Sequence, residues 1–220
     1  DTLTVREYLA RPRWPRLRYR LYRHPLVMFG IGPGYVFLVS NRVPAGFMNG
    51  GWRPWISTTG TNAAIAIAAV AIAGEIGTAA FLVVHLPILL MAAMCGVLLF
   101  YVQHQFETTH WTHGRDWSFR NAALLGSSHF SLPQPLRWFT ANIGIHHVHH
   151  LSSGIPFYRL ADVLAAWPEL ASTNRMTLGA GFRSAKLALW DEDTRRLVPF
   201  SFLDRRTAQA TSGATTEASC

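Results

Sequence analysis

Cysteine is almost missing from this chain, and lysine nearly so. Its two cysteines, Cys95 inside an apolar run and Cys220 at the last position, are not placed to meet in a disulfide, so nothing points to an oxidising compartment. With no usable cysteine pair, a cysteine-based zinc finger is excluded as well. Lys186 is the single lysine, which leaves the formal charge of +8 almost wholly to arginine. Arg11, Arg13, Arg16, Arg18, Arg20 and Arg23 cluster beside apolar segments, with no interleaved base-stacking motif. That placement argues against nucleic acid and for anionic lipid headgroups as the partner. Charge is scarce overall: 15% of residues carry it, against about 25% in an ordinary soluble domain, while half are hydrophobic. No internal repeat is visible. The sequence opens on Asp1, without a charged-then-apolar leader, and is therefore expected to belong to a longer protein.

The apolar residues gather in a few long runs, which points to a membrane. The first 25 residues mix arginine with Trp14, Tyr19 and Tyr22 and read as an arm in the headgroup region. Residues 26–40 are apolar but too short to span, since a crossing helix needs about 20 residues. The run Gly30-Ile31-Gly32-Pro33-Gly34 is expected to break helix there, leaving a re-entrant or interfacial element. Residues 41–55 follow as a Gly/Pro-rich interfacial loop with Trp52 and Trp55 as anchors. Residues 61–80 and 81–102 are the expected spans, joined as a hairpin by a turn around 74–80, with Glu75 at the far interface. Arg42 and Arg53 precede the hairpin and Arg115, Arg120 and Arg137 follow it, so the positive-inside bias puts both flanks in the cytoplasm. The predicted class is all-α: multi-pass membrane helices, one hairpin plus an interfacial or re-entrant segment, with a cytosolic histidine-rich helical cap over about 103–206. Pro133, Pro135, Pro156 and Pro168 punctuate that cap. Residues 1–206 read as one domain, and the small polar residues 207–220 as a disordered tail.

Nine of the ten histidines fall between 85 and 150. His146, His149 and His150 are spaced i, i+3, i+4 and share one helical face. His147 points about 100° away, which makes it a supporting or surface residue. Pro135 suits a first helical position, so one helix is predicted from about 135 to 150. A solvated polar helix end would look similar, but three histidines on one face beside a fourth favour a metal. In "FYVQHQFETTHWTHGRDW", His104, Glu107 and His110 recur every three residues, with His113 a further three on. His104 is the expected ligand there, Glu107 a ligand or hydrogen-bond partner and His110 a further candidate, although His110 and His113 fit interfacial or loop positions equally. His24, His85 and His129 read as structural. Trp111, Trp117 and Trp138 read as interfacial anchors or as a wall beside an acyl chain. An imidazole-rich set suits Fe, Zn, Cu or Ni, and histidine count does not choose among them.

"NIGIHHVHHL", read as H-x-x-H-H from His146 to His150, resembles the last histidine box of the membrane fatty acid desaturases. "FYVQHQFETTHW" is similar to the segment that precedes that box in their acyl-lipid, omega-6/Δ12-type branch. The openings "LTVREYLARPRWPRLRYRLYRHPLVMFGIGP" and "NRVPAGFMNGGWRPW", and the later "LALWDEDTRRLV", look like the same branch. The resemblance implies a membrane oxidoreductase with two non-haem irons that inserts a double bond into a lipid-linked acyl chain. It would use O2 and electrons from a ferredoxin or cytochrome b5-type donor. It also implies that His146, His149 and His150 are iron ligands and that His104 is the further histidine after the last span; Glu107, His110 and His147 remain candidates for support on spacing alone. Two earlier histidine boxes of the family, typically H-D-x-G-H and a second H-x-x-H-H, are not in this sequence. His110 and Thr108 stand where many relatives have tyrosine and aspartate. The chain is therefore expected to be the C-terminal portion of a desaturase, inactive alone. A hydroxylase on the same scaffold, or a non-catalytic membrane metal-binding remnant, is the alternative.

Overall fold

A computed structural model describes residues 2–45, 50–112 and 114–206. The expectations for the 207–220 tail and for His113 lie outside the described residues. The chain divides into two compact units, Asp1–Arg23 with Leu99–Cys220, and His24–Leu98.

The first unit opens with β1 (Leu3–Thr4), α1 (Val5–Ala10) and α2 (Arg13–Tyr22). The Thr4 side chain accepts from the Glu7 N–H while Glu7 reaches back to the Thr4 N–H, a capping box that starts α1 abruptly after the strand. In the second unit a π-helical turn (Val27–Ile31) runs into α3 (Gly32–Leu38). α4 (Trp52–Ile76) and α5 (Thr78–His104) follow, the latter contributing residues 99–104 to the first unit. Then come α6 (Phe119–Leu125), β2 (His129–Phe130), α7 (Gln134–Phe139), α8 (His146–Leu151), α9 (Leu160–Ala166) and α10 (Pro168–Ser172). β3 (Arg175–Met176), α11 (Leu178–Ser184), β4 (Leu187–Asp191) and β5 (Arg196–Pro199) complete the order.

The fold is mostly helical but not all-α, because among the described residues five short strands form two small sheets. β1 runs parallel to β4, with Leu3 opposite Leu189, and β4 pairs antiparallel with β5. The Asp191 carboxylate accepts from the Thr194 N–H and hydroxyl and so shapes the turn between them. Leu3, Val5, Tyr8, Tyr19, Leu189 and Val198 form the core around this sheet. The Tyr19 hydroxyl accepts from the Leu3 N–H at 3.1 Å and donates to the Ala188 carbonyl at 2.6 Å, tying the chain start to β4. The two-residue strands β1, β2 and β3, paired far along the sequence, leave no alternating pattern to read.

Residues 26–40 do not break helix as expected: the chain is helical from the π turn through Leu38. Pro33, which has no N–H to donate to the preceding turn, stands where the π turn passes into α3. The expected spans also shift. α4 begins at Trp52, not 61, and the only break before α5 is Gly77, whose φ of +87° suits glycine. At 1.5 Å per residue the two helices are roughly 38 and 40 Å long, enough for a hydrocarbon core of about 30 Å. Both are apolar enough to cross a membrane. No residue of α4 is buried. Ile65, Ile67, Val70 and Ile72 stand exposed along it. Apolar helices in lipid have no hydrophobic reason to pair, since acyl tails are as apolar as their side chains.

Candidate metal centre

His104 is the last residue of α5, and the carbonyls of its final turn need partners from outside the helix. Ser128 supplies two: its N–H donates to the Gln103 carbonyl at 2.9 Å and its hydroxyl to the Val102 carbonyl at 3.1 Å. Ser128 is wholly buried there. The Gln103 amide donates in turn to the Ile143 carbonyl at 3.1 Å, three residues before His146. The two histidine-bearing segments are therefore joined through the Gln103 side chain as well as through their imidazoles.

The predicted helix from 135 to 150 is two helices. α7 stops at Phe139, Ala141 and Asn142 take left-handed φ values, and α8 starts at His146. The break lets the chain turn back onto β2: the Phe130 N–H donates to the Gly144 carbonyl at 2.7 Å, and Ile145 bridges His129. A side chain at 144 is sterically barred, because a Cβ there would lie 2.4 Å from the Phe130 carbonyl oxygen. Ile145 and Val148 then pack against Leu160, which holds α8 by its apolar side.

Across from that apolar side, three Nε2 atoms converge. His146 Nε2 lies 2.9 Å from His104 Nε2 and 3.0 Å from His150 Nε2. Among the described residues, these three form the group of donors that could hold a metal ion, all within 4.8 Å of one another. Burial and the adjacent imidazole of His104 hold His146 far below the ordinary histidine range, at about 3, and burial also lowers His150. Both rings are thus neutral near pH 7 and present lone pairs, the form a metal requires. Two nitrogens on one tetrahedral ion at about 2.1 Å would stand roughly 3.4 Å apart, so His146 needs to part from each neighbour by only about half an ångström. The donor set fits one metal ion held by three imidazoles.

The other candidate residues fall around this group. The His149 ring stacks on His146 with centroids 5.7 Å apart, and its nitrogens are not among the converging atoms. His147 is no surface residue: it is wholly buried on the other side of α8, where its Nε2 lies 2.8 Å from the Leu170 carbonyl. Burial holds His147 down to about 4 against that hydrogen bond. His129 stands beside it, rings 5.7 Å apart, bonded to the Ala171 carbonyl at 2.8 Å. Glu107 does not approach the histidines but pairs with Arg196 at 3.2 Å on the surface. The helix ends at His104, so the three-residue spacing that would align Glu107 with it has no helix to act on. His110 shares with His104 a cavity of ≈ 210 Å³ walled by Thr2, Gln105, Trp111 and Trp190. Sequence reasoning missed Gln103, Ser128 and Gly144 as residues that set the site. None belongs to a histidine pattern, and only the glycine just ahead of the box could have flagged a close approach.

A family model described as fatty acid desaturase matches residues 1–179. A protein of Bacillus subtilis (strain 168) named "Fatty acid desaturase" is 44% identical over 200 residues, covering 90% of this chain and 56% of that relative. The chain thus spans little more than half of that relative's length.

Proposed function

This chain belongs to the fatty acid desaturase family, and from that premise we propose that its histidine cluster supplies iron ligands for O2-dependent desaturation of a lipid-linked acyl chain. The observation that carries the reading is the convergence of the His104, His146 and His150 Nε2 atoms at the end of an apolar helix long enough to span a bilayer. Desaturation removes two hydrogens from adjacent methylenes; one O2, two electrons and two protons complete the balance and leave two waters. Bound iron supplies the oxidising power that an aliphatic C–H bond demands. The chain's residues bind and orient. His104, His146 and His150 would hold the metal as neutral imidazoles, and His149, whose ring stacks on His146, stands beside them. Ser128, Gln103 and Gly144 keep the two histidine segments in register. Three or four imidazoles fit one iron better than two, so the chain alone is a partial site and inactive. α4 and α5 cross the membrane, the histidine side faces the cytoplasm, and a ferredoxin or cytochrome b5-type protein delivers the electrons.

The test is lipid profiling of a bacterium expressing the chain alone, and then fused behind the part of the Bacillus subtilis relative that it does not match. New double bonds only in the fusion, lost on His146→Ala, are expected. Hydroxylated acyl chains would replace desaturation by hydroxylation. A fusion that binds iron yet alters no lipid would overturn the enzymatic reading.

A further inference from the structure

The helix α2 carries surface chemistry that neither its own core nor the metal centre uses. Its inward anchor is the buried Tyr19. At 100° per residue, Trp14, Leu17 and Leu21 lie roughly 140–160° around the helix from Tyr19 and form one ridge. That ridge is open: the three side chains are 76%, 46% and 55% exposed. Arg13 stands on one flank of the ridge and Arg18 on the other, while Arg16 lies nearer the Tyr19 side and Arg11 precedes the helix. None of the four forms an ion pair among the described residues. Arg20 differs, since it folds back onto Tyr8 and Phe200. No aspartate or glutamate occurs in the sequence between Glu7 and Glu75.

We propose that α2 docks on an anionic bilayer surface, its Trp14–Leu17–Leu21 ridge in the acyl boundary and its arginines on lipid phosphates. Long cationic side chains on both flanks of a narrow apolar ridge reach up to headgroups while the ridge sinks below them. Unpaired arginines without local acids match an anionic surface, and each adds attraction there. A protein partner fits less well. Three side chains offer on the order of 400 Å², about half of what one partner buries in a standard interface. The proposal rests on the reading of α4 and α5 as membrane-spanning, because they hold the same chain at the bilayer.

The test uses the full chain with Cys95→Ser and Cys220→Ser, reconstituted in nanodiscs of phosphatidylcholine alone or mixed with phosphatidylglycerol. A spin label on Leu17→Cys reports α2, and one on Val83→Cys reports the span. Collisions with lipid-soluble O2 and with a polar nickel chelate are compared. At position 17 the O2-to-chelate ratio is expected to rise several-fold in the phosphatidylglycerol discs. Joint Arg11, Arg13, Arg16 and Arg18→Gln substitution should abolish that rise. A Leu17 label open to chelate in both discs, with Val83 shielded, would overturn the proposal and leave the span intact. Both labels open to chelate would remove the proposal together with the spanning reading. A Leu17 label shielded from both reagents in every disc would overturn it in favour of a protein contact.

Discussion

Replacing Gly144 with alanine perturbs the site at its tightest backbone contact. The new Cβ would stand 2.4 Å from the Phe130 carbonyl oxygen and 3.4 Å from its carbon. An ordinary carbon–oxygen contact is about 3.3 Å, so the 143–146 segment must retreat from β2 by close to ~1 Å. Both colliding groups are backbone, so no side-chain rotation relieves the clash. Overpacking of this kind costs about 1–3 kcal/mol. The Phe130 N–H to Gly144 carbonyl bond, 2.7 Å in the structure, is lost as well, for about 1 kcal/mol more. The expected destabilisation is therefore about 2–4 kcal/mol. The retreat also carries His146 with it, and a ligand constellation tolerates only about 0.5 Å of displacement. Cobalt titration, followed by visible absorbance, should show affinity reduced roughly tenfold or more, alongside a lowered unfolding midpoint in detergent. Gly154→Ala is the control: nothing lies within 4 Å of its Cβ, so stability should stay within about 0.5 kcal/mol. If the two variants match each other in stability and in cobalt affinity, the close approach of Gly144 to β2 does not position the histidines.

Substituting His147 by alanine removes its bond to the Leu170 carbonyl, which keeps the Thr173 N–H at 3.3 Å, and opens a void beneath α8, so a loss of about 2–4 kcal/mol is expected in denaturant titration. Because burial holds folded His147 at about 4, below its unfolded value, the stability it contributes is complete above pH 6.5 and is lost as pH falls toward 4. That pH-linked loss should be on the order of 3 kcal/mol, and metal-free His147→Gln unfolded across the same range should lose less stability than the parent by about that amount. Tyr19→Phe removes a hydroxyl that serves both β1 and β4; unfolding should be easier by about 1–3 kcal/mol, with an unchanged metal affinity. Ser128→Ala frees the end of α5; it is expected to weaken cobalt binding without changing the number of ions bound, whereas His150→Ala should remove binding.

The histidine spacing was readable because it is local. Residues 146, 149 and 150 lie within one turn, and helical geometry alone turns His147 away from His146. The family was legible too, because its motifs are contiguous strings. Glu107 shows where such reading stops. Spacing of three means proximity only while a helix continues, and α5 ends at His104. The single helix imagined from 135 to 150 failed for a related reason, since nothing near 141 in the sequence reveals that Gly144 must reach β2.

The sequence by itself determined that two long apolar helices exist, that the histidines cluster in two short segments, and which family the chain belongs to. The first two follow from composition and from spacing within a turn of helix, the third from contiguous motifs. Only the tertiary structure decided which imidazoles meet, that His147 works as an anchor beneath α8, and that β1 closes on β4. Each of these depends on backbone groups far apart in sequence finding hydrogen-bond partners, which burial makes obligatory and no local pattern encodes.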